Sequence, residues 1–415
     1  MNAARLAGAV ILAVAVVACG GQPARSAHAQ GRRTTAPAPV ASAVTRPSAC
    51  TTDSAAQRAL PGVRPSFTAM PGHPFGVAVT ADGRWAFVSL PGRPTGSVAV
   101  ISDRGLTAAL VRTVSVPTSA PAGLALTANG RYLLVAAGSG AIVMAVARLE
   151  RGAPAAVLGT LSSVPRGSAS SGGAFEVAGS AGGRFVFVSL EYAGKVAVFD
   201  LSAALADGFA ARSLVGTIGV GTAPVGLAVS PNGRWLYATS ESASGTLGGA
   251  AGVGTLSVID VARAQRAPAQ SVLARASAGC SPVRTVVSGD GRVVWVAARA
   301  SDELLAYSAA ELRRDPRRAL LAAVRVGEAP LGLALTDGGA RLVVADSDFE
   351  HTPGRRPQLT VLDTRAALTG RPALIGSVAS GQFPREMAAS AGGGELLVTN
   401  FSSRELEALS AAQLR

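Results

Sequence analysis

The sequence predicts an all-β fold made of seven similar, four-stranded antiparallel sheets. Three observations support this prediction. The composition is apolar and glycine-rich, with 48% hydrophobic residues, 15% charged residues and 49 glycines, which excludes a disordered chain and disfavours long charged helices. One sequence motif recurs seven times along the chain. Each copy places a turn-forming dipeptide between two short apolar segments, which is the pattern of a β-hairpin.

The first eighteen residues carry the pattern of an export signal. A short basic segment precedes the twelve apolar residues Leu6–Val17, which are too few to span a bilayer stably. The signal ends in Val16-Val17-Ala18-Cys19-Gly20, which resembles the bacterial lipobox. This resemblance implies a lipoprotein signal peptide over residues 1–18, lipidation of Cys19, and a membrane anchor on the cell surface or the periplasmic side. The alternative is an ordinary signal peptide with an incidental cysteine.

Residues 19–62 are rich in Ala, Pro, Ser and Thr and lack apolar periodicity, so we expect a flexible tether. Cys50 lies near its end, and Cys280 lies deep in the chain. Disulfides persist in exported proteins, which makes these two cysteines a candidate pair. Two free thiols are the alternative, because the sequence does not give the distance between the Cα atoms.

Residues 63–415 consist of seven copies of one unit. A proline, replaced once by alanine, begins each copy; we call these positions the anchors, and they are Pro74, Pro121, Ala174, Pro224, Pro282, Pro330 and Pro384. Eight residues later comes a turn dipeptide: Asp82-Gly83, Asn129-Gly130, Gly182-Gly183, Asn232-Gly233, Asp290-Gly291, Gly338-Gly339 or Gly392-Gly393. These dipeptides favour a type I′ hairpin, in which both turn residues have positive φ.

Each unit contains four predicted strands. Two flank the turn, as in Gly226–Ser230 and Trp235–Thr239, a third follows at Thr255–Asp260, and a fourth, such as Ser213–Val220, leads to the next anchor. Four antiparallel strands in about 50 residues form a propeller blade. Residues 63–415 are therefore expected to fold as one seven-bladed β-propeller.

The last unit ends after its third strand, and Val63–Met70 has strand character but no earlier strand to pair with. We therefore expect this N-terminal strand to complete the seventh blade and join the first blade to the last, which removes an open edge. An open solenoid is the alternative.

The repeats are similar to a known family. The segment Ala223–Ser240 and the sequence Leu397-Val398-Thr399-Asn400 resemble the YVTN repeat of lactonase-like seven-bladed propellers. The resemblance extends over residues 63–415 and implies the propeller fold. It leaves the activity open, because the family includes lactone hydrolases, surface-layer proteins and binding proteins.

Charged residues interrupt the repeat at the predicted channel mouth. Two residues after the anchor, four units have glycine, whereas the third, fifth and seventh have Glu176, Arg284 and Glu386. With His73 and Arg385 nearby, these groups suit acid-base catalysis or recognition of a carboxylate by arginine. An ion-pair plug that only satisfies polar groups in the channel is the alternative.

Further candidates lie on the same face, which we call the top. The longest loops, residues 241–254 and 346–357, are on this face, and binding residues favour loops held by a rigid scaffold. Four candidate ligand-binding residues follow second strands and are expected to line the cavity: Glu191, Glu241, Arg299 and Asn400.

The loop Asp346–His351 is a candidate metal site. Asp346, Asp348 and Glu350 offer oxygens to Ca²⁺ or Mg²⁺, and His351 adds a ligand for a transition metal. The loop lacks the glycine and the spacing of an EF-hand, and a solvated acidic loop is the alternative.

Three functions fit these observations. The protein is an exported scaffold that binds a small molecule, glycan or envelope protein through its top face; or a lactonase-like hydrolase in which Glu176 or Glu386 activates water and Arg284 and Arg385 hold the carbonyl; or a surface-layer protein. We expect a monomer. Nucleic acid is not an expected partner: the net charge is +13, but the basic residues form no stripe interleaved with aromatic residues.

Overall fold

The computed structural model describes most of the chain from residue 50 onward: residues 50, 54–55, 57–102, 107–165, 171–209, 213–242, 252–348, 356–390 and 393–415. It contains seven four-stranded antiparallel sheets. The predicted signal peptide, Cys19 and most of the predicted tether lie outside the described residues.

Each sheet is one blade of a seven-bladed β-propeller, as the repeats predict. The innermost strands contact one another around a ring and are β2 (Val77–Val79), β6 (Leu124–Leu126), β10 (Ala174–Gly179), β14 (Thr222–Val229), β18 (Pro282–Val287), β22 (Pro330–Thr336) and β26 (Pro384–Ala389). The second strands are β3 (Trp85–Leu90), β7 (Tyr132–Ala137), β11 (Phe185–Leu190), β15 (Trp235–Ser242), β19 (Val293–Ala298), β23 (Arg341–Asp346) and β27 (Glu395–Asn400).

The outer half of each blade contains a third and a fourth strand. The third strands are β4 (Ser97–Ser102), β8 (Gly140–Ala145), β12 (Lys195–Asp200), β16 (Val253–Asp260), β20 (Glu303–Ser308), β24 (Gln358–Asp363) and β28 (Glu405–Ser410). The outermost strands are β5 (Ala109–Ser115), β9 (Val157–Ser162), β13 (Leu214–Gly219), β17 (Val272–Cys280), β21 (Leu320–Arg325), β25 (Leu374–Ala379) and β1 (Ser66–Ala69).

The N-terminal strand closes the ring, as predicted. In the seventh blade the strand order is β1-β28-β27-β26, and β1 pairs with β28 in a register that places Ser66 opposite Ala408 and Ala69 opposite Glu405. The first and last parts of the propeller thus share one sheet, and the edge of β28 is covered.

Short helices connect third and outermost strands on the bottom face. They are α1 (Val146–Arg151), α2 (Leu201–Asp207), α3 (Val261–Ala264), α4 (Ala309–Arg314) and α5 (Thr364–Leu368). Ser308 caps α4 by accepting a hydrogen bond from the Glu311 N–H. Asp200 caps α2 by accepting from the Ala203 N–H.

The hydrophobic core consists of seven clusters, one between each pair of neighbouring blades. The cluster that joins blade seven to blade one includes Leu397 and Leu406 on one side and Val77, Val88 and Ile101 on the other. Closure of the ring therefore buries apolar surface as well as pairing strands.

Hydroxyl groups on second strands tie neighbouring blades together near the channel. Ser89 Oγ accepts from the Gly76 N–H of its own blade and donates to the Ala122 carbonyl of the next blade, at 2.8 and 2.6 Å. Thr399, the threonine of the YVTN-like segment, accepts from Glu386 N–H and donates to the Phe75 carbonyl across the closure, at 3.1 and 2.9 Å. The repeated hydroxyl thus has a structural role.

The prediction of type I′ hairpins is confirmed in blade six, where Gly338 and Gly339 both have positive φ, at 63° and 91°, and the Ala340 N–H donates to the Asp337 carbonyl. It is wrong in blades one to five, where only the second turn residue has positive φ. In the turn of blade one, the Gly83 N–H bonds to the Thr80 carbonyl, and only the glycine has positive φ, at 67°. Thr80 Oγ donates to Asp82 Oδ1 and accepts from the Trp85 N–H. The Thr and Asp side chains therefore stabilise a longer turn that needs a left-handed conformation at one residue only.

The end of the predicted tether is attached to the propeller. Cys50 and Cys280 form a disulfide with a Cα–Cα distance of 5.5 Å. Farther along, the Ala55 N–H donates to the Val326 carbonyl, and Leu60 pairs with Ser377 at the outer edge of blade six. The described residues of this segment, 50, 54–55 and 57–60, which we call the strap, thus contact the propeller at Cys280, Val326 and Ser377. Within the described residues, no helix has the length and hydrophobicity needed to cross a membrane.

Candidate functional site

The backbone at the start of the innermost strands aims side chains into the channel mouth. In blade seven the pairing of β26 with β27 shifts register between Pro384 and Glu386, which is a β-bulge. Phe383, just before the anchor, has a positive φ of 57°. Blades four to six repeat this geometry, with Ala223, Ser281 and Ala329 at positive φ before their anchors. Non-glycine residues rarely adopt this conformation, and it is common where a backbone orients a binding site.

Arg385 occupies a position that is apolar in the other six blades. The residues directly after the anchors are Phe75, Ala122, Phe175, Val225, Val283, Leu331 and Arg385. The ring of side chains at the channel mouth therefore contains one cation among six apolar groups.

Four phenylalanine rings surround the Arg385 guanidinium. Its Cζ atom lies 3.8 Å from the centroid of the Phe75 ring and 5.5 Å, 5.5 Å and 5.8 Å from those of Phe175, Phe383 and Phe401. The rings attract the cation through their quadrupoles. Among the described residues, no carboxylate lies within salt-bridge distance of Arg385, and its buried Nε has no hydrogen-bond partner.

Burial changes the acidity of this arginine. Desolvation, followed by the nearby positive charge of Arg284, lowers the pKa of Arg385 to about 9. The guanidinium is still charged at neutral pH, and an anion beside it would restore its usual pKa.

Arg284, the neighbouring arginine, contacts both glutamates of the same ring position, Glu176 and Glu386. Its Nε and Nη2 both lie 2.6 Å from Glu386 Oε2, and Nη2 lies 3.6 Å from Glu176 Oε2. Arg284 is only 7% exposed and also donates to the Val225 carbonyl at 2.8 Å. These three residues from alternate blades form an ion cluster across the channel, which we call the plug.

A glycine makes room for the plug. A Cβ atom on Gly123 would lie 2.4 Å from Glu176 Oε1, so a larger residue would displace the carboxylate. Four units have glycine two residues after the anchor because the next blade lies too close for a side chain at that position.

Glu176 has an unusual proton affinity. Burial raises its pKa to about 8, although the positive charge of Arg284 acts in the opposite direction. Glu176 is therefore largely protonated at neutral pH, and Glu386 makes the shorter contacts with Arg284.

A second ion pair lies beside the Arg385 cage. Arg299 Nη2 lies 3.2 Å from Glu241 Oε1. Burial and then the negative charge of Glu241 raise the pKa of Glu191 to about 7, while Arg385 and Arg299 act in the opposite direction. The structure thus brings Glu191, Glu241 and Arg299 to the site, as predicted.

Two cavities lie on opposite sides of the plug, and Arg284 lines both. The upper one, of about 40 Å³, is bounded by Phe175, Phe383, Arg385 and the Glu241–Arg299 pair. The lower one is the central channel, of about 300 Å³, with Glu176 and Glu386 at its upper end and apolar side chains below.

His73 and Asn400, which the sequence predicts as ligand-binding residues, have structural roles. The His73 ring stacks on Phe401 with centroids 4.9 Å apart, and its Nδ1 donates to the Phe401 carbonyl, so it supports the cage from outside. Asn400 is fully buried and donates to Glu407 Oε2 at 2.9 Å within blade seven. The prediction that Asn400 lines the cavity is not met, because it points along the blade instead.

The candidate metal loop is only partly described. Asp346 and Asp348 are buried, and burial raises the pKa of Asp346 well above its usual range. Glu350 and His351 lie outside the described residues. Within the described ranges, no three Asp, Glu, His or Cys side chains come together as metal ligands would.

The phenylalanine cage was not predicted. Phe383 and Phe401 lie outside the positions compared among the repeats, and Phe75 and Phe175 look like ordinary core residues. One signal was present in the sequence: Arg385 is the only charged residue in the ring of residues that follow the anchors.

Three arginines, Arg284, Arg299 and Arg385, lie at the site, and burial lowers the negative charge that opposes them. It raises the pKa of Glu176 to about 8 and that of Glu191 to about 7. The arrangement can accept a small anion at Arg385.

Comparison with known proteins supports the fold alone. No protein-family model and no curated protein matches the chain. Among solved structures, 1455 chains match. One of them is hydrazine synthase of Kuenenia stuttgartiensis, with a TM-score of 0.61 and 16% sequence identity over 83% of this chain and 96% of that chain. The chain is thus similar in fold to that protein, and this likeness does not extend to activity.

Proposed function

We propose that this protein is an exported, lipid-anchored β-propeller that binds a small carboxylate-bearing molecule at the mouth of its channel. The observation that carries the proposal is the Arg385 guanidinium, which lies within four phenylalanine rings without a carboxylate partner among the described residues. Export and lipidation rest on the pattern of residues 1–19 alone.

The size and surroundings of the upper cavity favour a carboxylate over a larger anion. A volume of about 40 Å³ holds one carboxylate group, and the rest of the ligand would extend toward the loops of the top face. Arg385 would donate hydrogen bonds to the carboxylate, and the rings would exclude water from the ion pair, which strengthens it.

Isothermal titration calorimetry with acetate, lactate and succinate tests this proposal. We expect at least one of them to bind, and Arg385→Gln to weaken its binding by about tenfold to a hundredfold, since hydrogen bonds to a charged group contribute about 1.5–3 kcal/mol. Arg131→Gln is the matched control: Arg131 also lies over an aromatic ring, that of Tyr132, but on the bottom face. Equal binding by wild type and Arg385→Gln would refute the proposed site.

A hydrolase is the second candidate function, favoured by Glu176. A carboxyl group with a pKa of about 8, next to an arginine and at the end of a cavity of about 300 Å³, suits proton transfer near neutral pH. A pH-stat assay on a panel of lactones measures this activity. Proton release that Glu176→Gln abolishes, with the protein still folded, would make the protein an enzyme; no release by the wild type would exclude these lactones as substrates.

A further inference from the structure

The bottom face of the propeller brings together arginines that are scattered along the sequence. This face consists of the turns after the innermost strands and of the connectors between third and outermost strands. In blades one to five an exposed arginine directly follows the turn dipeptide: Arg84, Arg131, Arg184, Arg234 and Arg292. The connectors of blades four to six add further exposed arginines, which include Arg263, Arg266, Arg314, Arg317, Arg318 and Arg365.

Backbone hydrogen bonds join the turn and the connector of a blade into one surface. The Val261 N–H, at the start of α3, donates to the Arg234 carbonyl at 3.0 Å. In the next blade the Ala309 N–H, at the start of α4, donates to the Arg292 carbonyl at 2.8 Å. The arginines of the turns and of the connectors therefore belong to the same side of the ring.

The carboxylates of this face are held against the backbone. Among its described aspartates and glutamates, only Asp82 and Asp290 are exposed, and each accepts a hydrogen bond from the N–H of the arginine that follows its turn, at 3.1 and 3.0 Å. Three half-buried aspartates cap the connecting helices: Asp200, Asp260 and Asp363. The longer arginine side chains thus dominate what this face presents to solvent.

Most of these arginines lack a carboxylate partner. Of those named above, Arg184, Arg292 and Arg314 form ion pairs with described residues. Many like charges on one face repel one another, and a surface of opposite charge relieves this repulsion. The top face is less basic: the exposed basic residues of its described loops are Arg93, Lys195, Arg356 and Arg404.

The distribution of the charges indicates a flat partner. The turn arginines belong to five consecutive blades, so they surround the lower end of the channel instead of forming a stripe. The turns and connectors of this face are short, and the longest loops lie on the opposite face. A linear polyanion would follow a stripe or a groove, whereas a planar anionic surface contacts the whole ring at once.

We propose that the bottom face binds the surface of a bilayer that contains anionic phospholipids. Lipid phosphates accept the paired hydrogen bonds that a guanidinium donates, and basic surface residues are attracted by the negative potential of such a membrane. The lipid anchor proposed above would keep the ring beside a membrane. The attraction itself depends neither on that anchor nor on the function proposed for the channel mouth.

Cosedimentation of residues 20–415 with lipid vesicles tests the proposal. This segment keeps every described residue but lacks Cys19 and the apolar residues Leu6–Val17, which would insert into vesicles on their own. We expect at least tenfold tighter binding to vesicles of phosphatidylcholine with phosphatidylglycerol than to phosphatidylcholine alone. An increase in ionic strength from about 0.1 M to about 1 M shortens the Debye length from about 10 Å to about 3 Å and should abolish this difference.

Charge variants show which face binds. One arginine near an anionic surface strengthens binding about fivefold, so the triple variant Arg314→Gln, Arg317→Gln, Arg318→Gln should weaken it about tenfold to a hundredfold. The double variant Arg263→Gln, Arg266→Gln should weaken it about threefold to thirtyfold. The matched control removes three charges from the top face, with Arg93→Gln, Lys195→Gln and Arg404→Gln, and should change binding less than threefold. All the replaced side chains are exposed, so these variants should fold.

Three results would overturn the proposal. Equal binding to anionic and neutral vesicles, or binding to neither, would show that anionic lipid is not the partner. Equal losses in the two triple variants would show that binding responds to net charge and not to the bottom face. Retention on heparin beads without binding to anionic vesicles would assign this face to a soluble polyanion instead of a bilayer.

Discussion

At the scale of single residues, the plug depends on one arginine that serves two carboxylates. Arg284 contacts Glu386 and Glu176 at 2.6 and 3.6 Å, and all three are largely buried. A buried charge is expensive when its partner is removed, whereas replacement of the whole cluster by neutral groups costs less. Removal of Arg284 alone should therefore destabilise the protein more than replacement of the whole plug by neutral groups.

Arg284→Met should lower the free energy of unfolding by about 3–5 kcal/mol, because it leaves Glu386 buried without its counterion. Urea denaturation measures this loss. Addition of Glu176→Gln and Glu386→Gln to Arg284→Met should restore part of the stability. Arg292→Met is the control: its ion pair with Asp290 has side chains 84% and 57% exposed, so a change of at most about 0.5 kcal/mol is expected. A stable Arg284→Met protein would show that the plug is not an electrostatic unit.

Glu191 makes anion binding depend on pH. Burial raises its pKa to about 7, so between pH 6 and pH 8 it gains a negative charge close to Arg385 and Arg299. That charge competes with an anionic ligand, and the affinity for the carboxylate should fall by roughly threefold to tenfold over this range.

Calorimetry at pH 6, 7 and 8 measures this change. Glu191→Gln should flatten the pH profile, whereas Glu150→Gln, on the bottom-face helix α1, should leave it as in the wild type. An affinity that rises with pH would contradict the assigned role of Glu191, because the sign follows from the added negative charge.

The sequence predicts this site in part. Comparison of the repeats places Glu176, Arg284 and Glu386 at one ring position, and the structure joins them. The repeats do not predict that the bulge after Pro384 turns Arg385 toward the rings, nor that Asn400 points into its own blade. Those outcomes depend on local backbone geometry, which side-chain spacing does not encode.

At the scale of elements, the repeat pattern predicts the strands of the blades closely. The structure departs from the prediction where local hydrogen bonds determine the backbone. The third strand Gln358–Asp363 and the closing strand near Val63–Met70 are found where predicted, the latter as Ser66–Ala69. The turns of blades one to five differ from the prediction because a hydroxyl six residues after the anchor stabilises a longer loop, as Thr80 does. The strap was not predicted, since its attachment to blade six relies on backbone hydrogen bonds that composition does not reveal.

Replacement of Ser66–Ala69 by Gly-Pro-Gly-Gly should remove the strand that closes blade seven while keeping the disulfide. We expect the free energy of unfolding to fall by about 2–4 kcal/mol, the net contribution of a few backbone hydrogen bonds, and the exposed edge of β28 to promote aggregation. Urea denaturation and light scattering measure both effects. The same replacement at residues 34–37 is the control, and a variant as stable as this control would mean that β1 does not close the ring.

At the scale of the whole molecule, the fold creates the site. Seven equivalent blades with a core at each interface form a rigid ring, and departures from equivalence at the channel mouth provide the chemistry. Glycine in four blades leaves space, charged residues in three fill it, and one arginine replaces an apolar residue among the phenylalanines. Because a solved structure only 16% identical has a similar fold, the function must be sought in these departures.

The central claim is that the channel mouth accepts an anion at Arg385, and a bromide soak of crystals at pH 6 tests it most directly. Anomalous scattering locates bromide without knowledge of the natural ligand. We expect an anomalous peak within hydrogen-bond distance of the Arg385 guanidinium, inside the phenylalanine cage, and no such peak in Arg385→Gln. A cavity without bromide in the wild type, with Arg385 still between the rings, would contradict the claim.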